Sequence, residues 1–332
     1  MNLSPMVRGL LWPASWLYRG IVLLRARMYT RGILQAKRLK TTVISVGNLT
    51  TGGTGKTPMV IWLAERFLAE GKRVGILSRG YKGSSGTSDE IELMKCRLNN
   101  RAVFGVGPDR HEQGRLLEAK GVDVLLLDDG YQHLQLARDV NILLMDAVRP
   151  LGNEMLLPSG TLREPISAMA RADILIFTRT ETSPNTDAAI EKLTDYPVFS
   201  AATRLLGFRR LGNPQVLSLE AIGEGPFYAF CGIGNPRAFF LDLENWGVAV
   251  AAKCEFADHH VYDDRDVREL ECAARNASAH ILITTEKDAQ NLARVNLPET
   301  PIYLAVIDLV ISKEEAFLAA IRERLEARGA VA

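Results

Sequence analysis

The stretch Thr42-Val43-Ile44-Ser45-Val46-Gly47-Asn48-Leu49-Thr50-Thr51-Gly52-Gly53-Thr54-Gly55-Lys56-Thr57-Pro58 decides the fold. It reads as a short apolar, β-branched strand, then a glycine-rich turn, then a helix predicted over Met59 to Leu68. In such a turn the glycines let backbone N–H groups point inward, and the helix N-terminus adds its positive end. A lysine at position 56 can reach the β- and γ-phosphates of a nucleotide, and the Thr57 hydroxyl can hold Mg²⁺. The usual spacing G-x-x-x-x-G-K-[ST] would place glycine at position 50; Thr50 stands there, and Gly52 and Gly53 supply the bend instead. Thr51, Gly52, Gly53, Thr54, Gly55, Lys56 and Thr57 are therefore the candidate nucleotide-binding residues. Pro58 suits a first helical turn, where its missing N–H costs nothing.

Outward from this turn the same grammar repeats. Arg73 to Ser78, Val122 to Leu127, Val140 to Met145 and Ile174 to Phe177 read as buried strands, and Asp109 to Lys120 as a helix stopped by Gly121. Strands alternating with helices imply a parallel, doubly wound α/β sheet with its ligand site at the carboxyl ends of the strands. From about residue 198 to 226 the helical pattern fades into a ribbon-like linker. A second, smaller α/β unit then follows, with strands near Phe227 to Cys231, Val248 to Phe256, Ile281 to Thr284 and Ile302 to Val306, and a last helix over Lys313 to Arg328. Gly232-Ile233-Gly234-Asn235-Pro236-Arg237 begins like a dinucleotide fingerprint, but Arg237 occupies the third glycine's place.

Polar groups collect at the predicted strand ends. Asp128 and Asp129 follow four apolar residues, the form of a strand that presents a carboxylate to Mg²⁺. Asp89-Glu90 and Asp258-His259-His260 could supply a carboxylate polarised by histidine, a general base for a hydroxyl, although surface charge is the commoner origin of such clusters. Arg79, Tyr81 and Arg163 lie near the same edge, and Thr285-Glu286-Lys287-Asp288 carries the marks of a helix cap.

The whole chain has 332 residues, 47% hydrophobic and 24% charged, with a net charge of +1, so no global field points to nucleic acid. Its four cysteines show no C-x-x-C pair or metal-ligand spacing. The charge is unevenly spread, since Glu65 is the first acidic residue. Before residue 40, basic residues alternate with Leu10, Leu11, Trp12, Trp16, Leu17, Ile21 and Leu24. Pro13 and Arg19 interrupt the apolar run, which is too short to span a bilayer but suits a helix lying in a membrane interface or packed on the protein's own core.

Taken in order, Gly47 to Pro58, Ser78-Arg79-Gly80-Tyr81, Asp89-Glu90, Asp128-Asp129-Gly130-Tyr131-Gln132-His133, Leu162-Arg163-Glu164-Pro165, Asp258-His259 and Thr285 to Asp288 resemble the tetraacyldisaccharide 4′-kinase family. The resemblance implies a P-loop NTPase-type α/β kinase with a second α/β domain joined by a β-ribbon. By it, residues 1–40 form a membrane-associating helical segment, 41–200 the P-loop kinase domain, 201–226 the linker and 227–332 the C-terminal domain. It implies ATP and Mg²⁺ as cofactors and a lipid A disaccharide precursor as acceptor, converted to lipid IVA at the cytoplasmic face of a bacterial inner membrane. The enzyme would work on that lipid surface as a monomer, without nucleic acid. Carried over by residue, Lys56 and Thr57 hold phosphates and Mg²⁺; Asp128 and Glu164 take metal; and Asp129 supports catalysis. Asp89 corresponds to the general base and His259 to its partner across the domain cleft, while Tyr81, His133 and Arg163 bind substrate. Ser88 departs from the family's glycine before Asp-Glu, and Ser159 from its alanine before Gly160. A P-loop ATPase switch at a membrane surface is the rival reading. Positions 50 to 54 lack the early second lysine that dimer-type membrane ATPases carry.

Overall fold

A computed structural model describes residues 5–80, 88–182, 196–292 and 295–329. They fall into two compact units. The first takes 5–80, 95–182, 196–203 and 309–329, and the second takes 88–94, 204–292 and 295–308.

The first unit is built on a parallel sheet. Its strands are β1 (Thr42–Asn48), β2 (Val74–Ser78), β3 (Val103–Val106), β4 (Val124–Asp128), β5 (Val140–Asp146), β6 (Ile174–Thr178) and the start of β7 (Val198–Arg210). Their order is β7-β6-β5-β1-β4-β2-β3. β1, β2, β4 and β6 are buried along their whole length, as strands covered on both faces must be. Helix α1 (Pro5–Thr30) precedes β1, and α2 (Lys56–Ala69) follows it directly. The connection leaving β1 runs toward β2 and the one leaving β5 toward β6, in opposite directions along the sheet. A crevice opens where connections diverge in this way, at the carboxyl ends of the strands. The glycine loop 49–55 lies there.

Helix α2 starts at Lys56, three residues before the predicted Met59, because Gly55 enters a left-handed conformation (φ 77°) and releases the chain into the helix at once. Its residues Met59 to Ala64 are all buried. Gly47 is required by a close approach: a Cβ there would lie 2.7 Å from both Cβ and N of Tyr131, a clash with backbone that cannot relax.

Within this unit α1 docks by one side only. Ser15 is buried and its hydroxyl donates to the Leu156 carbonyl (3.1 Å), while the Tyr18 hydroxyl donates to the Arg163 carbonyl (2.8 Å). The backbone N–H of Ser159 donates to Ser15 Oγ (3.0 Å). Met6, Leu10, Leu17, Ile21 and Leu24 form the opposite stripe, each more than half exposed. Among the described residues no helix is long and apolar enough to cross a membrane.

The second unit contains α3 (Asp89–Arg97) up to residue 94, the remainder of β7, and β8 (Val216–Leu217), which pairs with β7 antiparallel. In the first unit α4 (Arg110–Ala119) links β3 to β4; after β8 the second unit continues with α5 (Leu219–Ile222), β9 (Phe227–Cys231), α6 (Pro236–Asn245), β10 (Val250–Glu255), α7 (Asp264–Asn276), β11 (Ile281–Thr285), α8 (Glu286–Leu292) and most of β12 (Ile302–Ile311). Its parallel strands run β10-β9-β11-β12. Side-chain alternation along β9 sends Phe227, Ala229 and Cys231 into a core with Phe239, Phe240 and Leu243 of α6, and Tyr228 and Phe230 into one with Val267 and Leu270 of α7.

Three sequence expectations change. The stretch read as linker begins with β7, whose first residues pair with β6 inside the first sheet (Leu175↔Val198). The final helix, α9 (Glu314–Ala327), belongs to the first unit: Phe317 packs against Trp62 of α2 and Phe199 of β7 at ring-centroid distances of 5.7 and 5.2 Å. Arg66 adds an ion pair to Glu314 (2.6 Å). The segment 88–94 sits with the second unit, although it lies in the first half of the chain.

Candidate active site

β1 and β4 lie side by side in the register Val46↔Asp128, so the end of β1 that feeds the cradle adjoins the Asp128-Asp129 pair. Asn48, the last residue of β1, is fully buried and organises the loop. Its Nδ2 donates to the Thr50 carbonyl (2.8 Å), its Oδ1 accepts from Lys56 Nζ (3.3 Å), and its own carbonyl accepts from Gln132 Nε2 (2.9 Å). The Thr178 hydroxyl at the end of β6 donates to the Thr54 carbonyl (3.2 Å). Between these tethers Gly52 and Gly53 are exposed, and Gly52 adopts φ 118°, which glycine alone takes readily. At the start of the loop the Thr51 N–H donates to the Thr161 carbonyl at 2.7 Å and its hydroxyl to the same oxygen at 3.3 Å. These bonds tie the start of the loop to the segment that carries Thr161.

Asp129 adopts a left-handed backbone (φ 48°), uncommon for a non-glycine residue, which turns its side chain away from the strand direction. Lys56 Nζ lies 3.7 Å from its Oδ1, and Arg163 Nη1 donates to both carboxylate oxygens at 2.9 and 2.7 Å. Burial pushes the Asp129 carboxyl up, but Lys56, Arg163 and Arg110 more than reverse this and hold it below the ordinary carboxylate range. Asp128 is buried at the end of β4. Glu164 is also buried and pairs with Arg171, whose guanidinium stacks on the Tyr131 ring.

His133 accepts a hydrogen bond at Nδ1 from Arg110 Nη1 (3.0 Å). Burial, reinforced by Arg110 and Arg138, pushes its pKa down to about 4. It is therefore neutral near pH 7. Below its ordinary 6.5 the unfolded chain takes up a proton that the folded site refuses, so stability falls as pH drops from 6.5 toward 4. The loss of unfolding midpoint between pH 7 and pH 5 is expected to be smaller in His133→Gln than in the wild type. An equal loss in both would show that His133 titrates normally.

In the second unit Asp89, the first residue of α3, receives His259 Nδ1 at 2.9 Å from its Oδ2. His260 turns elsewhere, its Nε2 lying 2.7 Å from Asp266. The Asp89–His259 pair is thus assembled within one unit, where the resemblance implied a pairing across a domain cleft. Tyr81 lies outside the described residues.

Sequence reasoning missed Asn48, Gln132, Arg110 and Arg171. Asn48 and Gln132 lie inside recognised motifs, and a polar residue where β1 runs into the glycine loop was the available signal for Asn48. Arg171 had none, since its partners Glu164 and Tyr131 reach it only through the fold. Among the described residues no group of three or more His, Cys, Asp or Glu side chains is arranged to hold a metal ion.

A strand that runs through a glycine loop into a helix opening on Lys-Thr, beside a strand that ends in paired carboxylates, defines a P-loop nucleotide-binding protein of the α/β type. The family model described as LpxK, Tetraacyldisaccharide-1-P 4'-kinase, matches residues 7–326. This chain belongs to the tetraacyldisaccharide 4'-kinase family. It is 41% identical over 327 residues to the Tetraacyldisaccharide 4'-kinase of Geobacter metallireducens, covering 92% of this chain and 95% of that one. With the enzyme of the same name from Geobacter sulfurreducens it shares 42% over 315 residues, covering 90% and 87%. The crystal structure of an "apo" form of LpxK from Aquifex aeolicus in complex with ATP aligns with a TM-score of 0.76 at 32% identity, covering 96% of this chain and 99% of that one.

Proposed function

We infer that this protein transfers the γ-phosphoryl group of ATP to the 4′-hydroxyl of a tetraacylated glucosamine disaccharide 1-phosphate, forming lipid IVA and ADP. The observation that carries the reading is the Lys56–Asp129–Arg163 constellation at the mouth of the cradle, in a chain whose relatives bear the name of this kinase. ATP as donor is supported by the Aquifex relative, which was solved with it.

In this reading the N–H groups of Gly52 to Thr57 and the Lys56 ammonium bind the β- and γ-phosphates. Thr57, Asp128 and Glu164 would hold Mg²⁺; the set is entirely hard oxygen, the chemistry that ion prefers. When bound, the ion neutralises charge on the phosphates. Asp129 keeps Lys56 and Arg163 aimed, so positive charge stands ready as negative charge moves to the leaving oxygen. Asp89 takes the proton of the acceptor hydroxyl. The hydroxyl oxygen bonds to the γ-phosphorus, the bond from that phosphorus to the bridging oxygen breaks, and ADP leaves. His259 holds Asp89 in place, and Tyr81, His133 and Arg163 are assigned to the acceptor.

We assign the outward stripe of α1 to a membrane surface, the cytoplasmic face of the inner membrane in this reading. Large apolar side chains are exposed beside Arg19, whose guanidinium lies 5.1 Å from the Trp16 ring centroid, a combination suited to an anionic interface. Replacing Leu10, Leu17 and Ile21 together by Ser should reduce co-sedimentation with phosphatidylglycerol vesicles by roughly tenfold or more. Unchanged partition would limit α1 to a structural role.

The direct test is transfer of labelled γ-phosphate from ATP to the tetraacyl disaccharide 1-phosphate in mixed micelles. Labelled lipid is the expected result; ATP hydrolysis without labelled lipid would overturn the kinase reading in favour of a membrane-surface ATPase switch.

A further inference from the structure

Helix α1 has two faces, and the inner one reaches the site. Ser15 and Tyr18, three residues apart, share a side of the helix away from the exposed stripe of Leu10, Leu17, Ile21 and Leu24. That inner side grips the stretch 156–163. Ser15 Oγ donates to the Leu156 carbonyl at 3.1 Å and accepts the Ser159 N–H at 3.0 Å. Ser159 Oγ donates to the Arg8 carbonyl at 3.3 Å, and the Tyr18 hydroxyl donates to the Arg163 carbonyl at 2.8 Å.

The same stretch lies along the start of the glycine loop. The Thr51 N–H donates to the Thr161 carbonyl and the Arg163 N–H to the Leu49 carbonyl, both at 2.7 Å, around an antiparallel bridge of Thr50 with Leu162. Arg163 is therefore held at both polar groups of its backbone, the N–H by Leu49 and the carbonyl by Tyr18. From that fixed base its guanidinium makes both bonds to Asp129, whose Oδ1 stands 3.7 Å from Lys56 Nζ. An arginine side chain is long and many-jointed, so where its fork falls depends on how firmly the backbone beneath it is held. Of the two backbone anchors, only Tyr18 comes from α1.

The phenol is a dependable donor. Burial raises its pKa and the Glu164 carboxylate raises it further, while Arg163 and Arg25 oppose the rise without reversing it. The hydroxyl therefore keeps its proton wherever Arg163 needs the bond.

We propose that Tyr18 is a positioning residue for phosphoryl transfer, holding the Arg163 carbonyl so that the guanidinium rests on Asp129. This goes beyond the assignment of α1 to a lipid surface, because it makes that helix part of the frame of the site. It rests on the reading of the protein as a kinase that uses Lys56, Asp129 and Arg163.

The test is steady-state transfer of labelled γ-phosphate from ATP to the tetraacyl disaccharide 1-phosphate in mixed micelles. Full-length wild type is compared with Tyr18→Phe, Arg163→Ala and the double variant, and Ser15→Ala serves as a control for the docking of α1. Tyr18→Phe keeps the ring and should lower kcat about tenfold, less than the ~10²-fold that an ångström of misplacement can cost. Its KM for ATP should stay within about twofold, the split expected when an interaction of the transition state alone is weakened. In the Arg163→Ala background the same change should alter kcat by less than about twofold, because the side chain that Tyr18 positions is gone. Ser15→Ala cuts the bonds of α1 to Leu156 and Ser159 and none to Arg163, so it should lower the unfolding midpoint while kcat stays near the wild-type value.

Full kcat in Tyr18→Phe would overturn the proposal. So would losses that multiply in the double variant, or a fall of kcat in Ser15→Ala equal to that in Tyr18→Phe, which would mean a general loosening of α1. Each of these strikes the role of Tyr18 and leaves the kinase reading intact. Wild-type protein that labels no lipid would instead overturn the kinase reading and the proposal with it.

Discussion

Lys56→Ala should lower phosphoryl transfer by about 10³-fold, the scale expected when one group that stabilises transition-state charge is lost. The ammonium is held by Asn48 Oδ1 and Asp129 Oδ1 at the first residue of α2, so its direction is set before nucleotide binds. The fold should survive the change. Asp129 keeps its two bonds from Arg163, and Lys56 contributes an ion pair with a partly exposed partner, worth no more than about 1 kcal/mol. Radiolabelled transfer and thermal unfolding on the same preparation measure both effects. Transfer within about tenfold of wild type would remove Lys56 from the centre of the chemistry, because a loss that small is at the level of a peripheral contact.

Asp89→Ala should reduce kcat by about 10²- to 10⁴-fold, the range for a lost general base, with ATP affinity nearly unchanged. The two effects separate because the proposed nucleotide contacts lie on the cradle and on β4, while Asp89 opens α3 in the second unit. His259 retains its N–H bond to Gly232, so it is not left adrift. Calorimetric titration of ATP beside steady-state kinetics would show the separation. A variant with full kcat would remove Asp89 as the base; one that no longer bound ATP would place it with the nucleotide contacts instead.

The parts of this protein legible in its sequence are those encoded by residues adjacent in the chain. A β-branched strand, a glycine turn and Gly-Lys-Thr-Pro dictate their own conformation, since strand propensity, positive φ and the freed N–H groups of a helix start are all local properties. Thr285 was legible as a cap in the same way, and its hydroxyl does accept the Asp288 N–H at 3.2 Å. Legibility stopped where a side chain's partner is distant. Between His259 and His260, adjacent histidines of equal chemistry, the sequence offers no choice. The left-handed backbone at 259 makes it, giving one ring to Asp89 and the other to Asp266.

Placement of whole elements followed the same division. The apolar face of α9 says that the helix is buried against something, and chain order suggested the strands just before it. Its docking on Trp62 and Phe199 was decided by shape and volume, which periodicity does not encode. So too for β7, whose residues read as linker until pairing with β6 satisfied their backbone. By itself the sequence determined a nucleotide cradle, the acidic strand end beside it and the family to which the chain belongs. Only the tertiary structure decided that Thr51 ties the loop down, that Arg163 clasps Asp129 and that Tyr18 reaches the Arg163 carbonyl, because each depends on distances between residues far apart in the chain.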